Sequence, residues 1–206
     1  MNFYKRFFEN IQQDFKAFVY WCLVFTLFRV AFIAIYSGQL NGDYRDIPMA
    51  LLLGLRLSLK TAGIMMLVGV VCATLPKVFV QRWLSEKLRF GWHTLALIFF
   101  SICFMARIPY YKIFNEAFNM MLINGAHDDI YAIFMTAVKE YQLLWRFPLA
   151  LALGAVLACG LKLWLQRIKT VELAAVQHKK LVMALTLPVL AFLWIFIRFG
   201  GSFYLL

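Results

Sequence analysis

Five long apolar runs dominate the sequence and decide its solvent. They cover about 17–37, 48–75, 92–108, 147–165 and 181–199, and a helix needs roughly 20 such residues to cross a bilayer. A segment surrounded by lipid must satisfy its own backbone hydrogen bonds, so each run is expected to be an α-helix. No alternating ten-residue pattern suggests a barrel. Composition agrees: 64% of the 206 residues are hydrophobic and only 15% are charged, against about 45–50% and 25% in soluble domains. That excludes a free soluble enzyme, and a disordered chain as well. The expected fold is all-α: a polytopic membrane protein, a single transmembrane domain over 1–206, with five spanning helices and interfacial amphipathic helices.

The formal charge of +11 reads as membrane topology and attraction to anionic lipid, not as nucleic-acid binding. No basic run or binding motif points to nucleic acid. Lys5, Arg6 and Lys16 precede the first span. Lys77, Arg82, Lys87 and Arg89 follow the second, and Lys162, Arg167, Lys169, Lys179 and Lys180 follow the fourth. The opposite side carries half as many, balanced by acids. The N-terminus is therefore expected in the cytoplasm and the C-terminus outside a bacterial cytoplasmic (inner) membrane. The first run is too long for a signal-peptide core and lacks a cleavage site, so it is an uncleaved helix. Ahead of it, Phe3, Phe7, Ile11 and Phe15 recur every four residues. They mark either an amphipathic surface helix or an extension of the first span.

The outer segment 109–146 fits two interfacial amphipathic helices separated by Asn124-Gly125. His127-Asp128-Asp129 reads better as a helix start than as a metal site, because three consecutive residues cannot converge on one ion. Cys22, Cys72, Cys103 and Cys159 each lie in an apolar run without metal-ligand spacing. His93 is expected to anchor the third span at the interface. No Ser-His-Asp, Cys-His or phosphate-cradling pattern occurs, so no catalytic residue, metal site or cofactor is assigned to this chain.

Arg29, Arg56 and Lys60 fall inside spans, where charge is expensive. With the ten acids all placed outside the spans, no carboxylate is expected at their depth. Arg29 and Arg56 both lie roughly 12 Å below the outer edge, at 1.5 Å per residue. Lys60 is one turn from Arg56 on the same face. Arg107, Arg146 and Arg198 stand at the outer ends of the last three spans. These six cations suit the phosphate of an anionic phospholipid such as phosphatidylglycerol. Snorkelling is the simpler account of Arg107, Arg146 and Arg198.

Three motifs join this pattern: Gly54-Leu55-Arg56-Leu57-Ser58-Leu59 in span two, Tyr110-Tyr111-Lys112-Ile113-Phe114-Asn115, and Arg198 with Gly200-Gly201-Ser202. Together with five spans they make nearly the whole chain resemble the membrane domain of the lipoteichoic acid synthase-like family, in the alkaline phosphatase and sulfatase superfamily. Ser58 departs from it, since the family often has Asp there. The resemblance implies a parent enzyme, transferase or sulfatase-like hydrolase, that moves a phosphoglycerol-type group from a phospholipid. It places the nucleophilic Thr and a divalent, manganese-like metal in a C-terminal extracytoplasmic catalytic domain. The chain stops just after its fifth span emerges, so such a domain is expected to follow. A phosphoethanolamine transferase membrane domain is the near alternative. A small transporter or scaffold is the distant one, and Gly63, Gly69, Gly154 and Gly160 would serve its helix packing.

Overall fold

The computed structural model describes residues 3–39, 47–74, 82–115, 135, 138–139 and 141–169. The expected fifth span at 181–199, with Arg198, lies outside the described residues, as do 116–134 of the outer segment and the Gly200-Gly201-Ser202 motif. Four helices carry the described chain: α1 (Phe3–Ile35), α2 (Ile47–Gly69), α3 (Arg82–Phe114) and α4 (Leu143–Arg167). Stretches Phe7–Ile35, Ile47–Cys72, Glu86–Lys112 and Leu143–Arg167 are each long and apolar enough to cross a membrane. They correspond to the first four expected spans. Leu52, Leu57, Leu95 and Val156 are more than 60% exposed, as side chains facing lipid are.

Helix α1 contains neither glycine nor proline, so nothing interrupts it, and the N-terminal segment continues into the first span. It gives way to a 3-10 turn at Ser37–Gln39, where the Ser37 hydroxyl donates to the Ala34 carbonyl at 2.9 Å. Pro48 sits in the first turn of α2, where its missing N–H breaks no intrahelical bond. Helix α2 ends in a π-helical turn, Val70–Thr74, whose i→i+5 bonds take up one extra residue.

The third helix runs further than its apolar run suggests. It passes through Pro109 and stops at Phe114, so Tyr110 and Phe114, assigned from sequence to a separate interfacial helix, belong to α3. Asn115 ends it with a left-handed φ of 51°, and its N–H donates to the Tyr111 carbonyl at 2.9 Å. Asn tolerates that conformation better than most residues. Gln142 precedes α4 at φ 53° and its carbonyl accepts the N–H groups of Trp145 and Arg146 at 3.0 and 3.1 Å.

The chain forms two compact units, Met1–His93 with Gly160–Leu206, and Thr94–Cys159. In the first unit α1 packs along α2. Buried on α1 are Asp14, Ala17, Trp21, Val24 and Phe28, a stripe at alternating spacings of three and four residues. From α2, Ala62, Gly63, Met66 and Gly69 are buried. The end of α4 is tied to α1. Lys16 Nζ donates to the Ile168 carbonyl at 2.5 Å, where a cation suits a helix C-terminus. Trp164 Nε1 donates to the Lys16 carbonyl at 3.1 Å.

In the second unit, Leu97 and Ser101 of α3 are fully buried. Ala150, Gly154 and Ala158 of α4 are buried at four-residue intervals. A Cβ on Gly154 would lie 2.8 Å from the Ile98 Cα, so the two helices meet backbone to backbone. Such contact through small residues is how helices pack in lipid.

Candidate functional site

Of the six expected cations, Arg29, Arg56 and Lys60 belong to the first unit and are half-buried. Arg29 reaches from α1 to α2, and its guanidinium fills the space a side chain at Gly54 would occupy. On α2, Arg56 lies two residues from Gly54, and Lys60 lies one turn beyond Arg56, about 6 Å further along the axis. Ser58, the departure from the family pattern, donates to the Gly54 carbonyl at 2.9 Å and is buried. Arg107 and Arg146 are half-buried in the second unit, near the end of α3 and at the start of α4.

A second polar cluster appears where none was expected. Asp14 lies inside the apolar stretch Phe7–Ile35 and is fully buried. Its Oδ1 is 2.8 Å from Arg89 Nε, with side chains 0% and 5% exposed. The Thr74 hydroxyl donates to Asp14 Oδ2, and Arg89 Nη2 donates to Thr74 Oγ1 at 2.9 Å. The three side chains close a ring that joins α1, the π turn and α3. Two corrections follow: a carboxylate does lie within a membrane-length helix, and Arg89 is an interior residue, not a free cytoplasmic charge. Asp14 is fifteen residues from Arg29, about 22 Å along α1, so it does not share the level of the other cations.

His93 is one turn beyond Arg89. It is fully buried and accepts a hydrogen bond from Trp21 Nε1 on Nδ1 at 3.1 Å, so it is not an interfacial anchor. The signal for this cluster was in the sequence. Asp14 and Trp21 are seven residues apart on the buried stripe of α1, and Arg89 and His93 are four apart on α3, spacings that put each pair on one helix face.

Chemically, the ring neutralises its own charge. Thr74 donates to a carboxylate, as an activated nucleophile does, but it has no exposed surface and cannot meet a substrate there. Among the described residues no group of three or more His, Cys, Asp or Glu side chains is placed to hold a metal ion. The four cysteines are unpaired thiols. Gly69, Gly154 and Gly160 serve packing within each unit: their missing side chains make room for His93, Ile98 and Tyr20 respectively. Comparison with family models, with curated proteins and with solved structures finds no match for the chain.

Proposed function

We propose that this chain is the membrane domain of a lipid-headgroup transferase of the phosphoglycerol type, acting at the outer face of a bacterial cytoplasmic membrane. The α1–α2 pair holds the phosphate of an anionic phospholipid. The observation that carries this reading is the approach of Arg29 to α2 at Gly54, close along that helix to Arg56 and Lys60. Arg56 and Lys60 lie one turn apart on α2, and Arg29 lies against that same helix where Gly54 has no side chain. Helix α2 contains no acidic residue. Guanidinium groups recognise phosphate through paired N–H donors. On this reading the catalytic Thr and its divalent metal belong to a separate extracytoplasmic domain, and the near alternative is a phosphoethanolamine transferase of the same plan.

Native mass spectrometry with phosphatidylglycerol tests it. A charge-assisted contact is worth about 1.5–3 kcal/mol, so Arg56→Ala and Arg29→Ala each weaken lipid retention by roughly 10- to 150-fold. Arg167→Ala, at the exposed end of α4, leaves it unchanged. Equal retention by all the variants rejects the reading. One observation favours a second reading, ion or proton transport: the buried Asp14–Arg89 pair inside membrane-length helices. Proton flux into liposomes that is lost in Asp14→Asn distinguishes it from the first.

A further inference from the structure

The polarity of one buried hydrogen bond fixes the state of His93. An indole N–H only donates. Trp21 Nε1 approaches His93 Nδ1 at 3.1 Å, so Nδ1 supplies a lone pair, and the neutral ring carries its single proton on Nε2. That Nε2 is buried and meets no acceptor among the described residues. It lies beside Asp14 over Gly69: a Cβ at Gly69 would be 3.3 Å from Nε2 and 3.6 Å from Asp14 Oδ1.

Among the described residues, three elements supply the polar groups near the ring. Helix α1 brings Asp14, and α3 brings Arg89 one turn back. Helix α2 brings Gly69, and its π turn directs the Thr74 hydroxyl to Asp14. Lys16 of α1 is directed to the Ile168 carbonyl.

We propose that His93 is a proton-binding site built as a latch between α1 and α3. A second proton, taken from solvent acid, adds to Nδ1. It removes the lone pair that Trp21 uses, and two N–H groups then face each other. The Trp21 hydrogen bond is lost, and the only covalent bond formed is Nδ1–H. The imidazolium turns to Asp14, where its Nε2–H and positive charge compete with Arg89 for the carboxylate. Acid thus exchanges one α1–α3 contact for another and loosens the Asp14–Arg89–Thr74 ring. This goes beyond the lipid-headgroup reading and is independent of it, because its groups on α1, Asp14 and Trp21, lie about four and two turns from Arg29, and Arg29, Arg56 and Lys60 take no part.

The test is nitrogen-15 NMR of the full chain in lipid nanodiscs, with His127→Gln and His178→Gln so that His93 is the only histidine. At neutral pH the ring shows a bare Nδ1 and a protonated Nε2. On acidification Nδ1 gains its proton, and the Trp21 indole signal, identified by its loss in Trp21→Phe, moves over the same pH range. Trp21→Phe removes the competing donor and lets His93 take up the proton at a roughly two- to tenfold lower proton concentration, the worth of one net hydrogen bond. An indole signal that stays fixed while His93 titrates, or a proton on Nδ1 at neutral pH, overturns the proposal. If Trp21→Phe does not fold, the indole N–H is assigned by residue-specific labelling, and the coincidence of the two titrations in the parent decides the matter.

Discussion

Removing the Asp14 carboxylate is the sharpest perturbation the structure offers. In Asp14→Ala the Arg89 guanidinium stays buried, at 5% exposure, without its 2.8 Å counter-ion, and the Thr74 hydroxyl loses its acceptor. Taking one partner from a buried pair costs about 3–5 kcal/mol, because the remaining charge has been withdrawn from water. For a chain of this size each kcal/mol moves Tm by about 2–4 °C, so Asp14→Ala lowers Tm by roughly 6–20 °C. Intrinsic tryptophan fluorescence during thermal unfolding in detergent measures this, since Trp21 is fully buried on the same stripe of α1. Arg89→Met leaves the carboxylate stranded and falls in the same range. The double variant Asp14→Leu with Arg89→Met removes both charges and recovers most of the loss, since apolar replacement of a buried pair is often neutral or stabilising. The reasoning is refuted if Asp14→Ala melts within about 2 °C of the parent, or if the double variant is no better than the worse single one.

Two further outcomes are expected. Gly154→Ala places a Cβ 2.8 Å from the Ile98 Cα, which is backbone and cannot swing away, whereas a Cβ at Gly91 meets nothing within 4 Å. The first therefore costs about 1–3 kcal/mol, and Gly91→Ala stabilises by about 0.5–1 kcal/mol, both read from thermal unfolding. In a chain stripped of its native cysteines, a cysteine replacing Asn41 reacts with an impermeant thiol reagent added to intact cells and one replacing Thr170 does not. Equal labelling rejects the orientation drawn from the basic residues.

The four described helices were legible because a bilayer-length apolar run leaves the backbone no alternative to helix. What sequence reading missed was polar and lay at the helix ends. Asp14, Arg89 and Lys16 look like flanking charge when spans are bounded by hydropathy, since a charged residue is itself what ends an apolar window. Once α1 is seen to start at Phe3, Asp14 falls on the Ala17–Trp21–Val24 stripe and must be buried. Its partner comes from a helix some seventy residues on, a pairing that spacing along one helix cannot supply. Asn115 ends α3 beyond Pro109 for a related reason. Proline is read as a stop, yet its ring was accommodated within the helix, and the chain turned only where a residue tolerated a positive φ. The depths of Arg29, Arg56 and Lys60 were counted at a fixed rise per residue, but the approach of Arg29 to Gly54 depends on which helices pair, which that count does not give.

The π turn at Val70–Thr74 makes the end of α2 tolerant of one change in length. Its wider turn holds one more residue than an α turn over nearly the same rotation, and it ends on Thr74, which reaches both Asp14 and Arg89. Deleting one residue from 70–73 would close an ordinary α turn and leave Thr74 on nearly the same face of the axis. An insertion has no such slack and would swing Thr74 by about 100°, carrying its hydroxyl off the ring. Among homologous chains, a one-residue gap within 70–73 is therefore expected, and an insertion there is not.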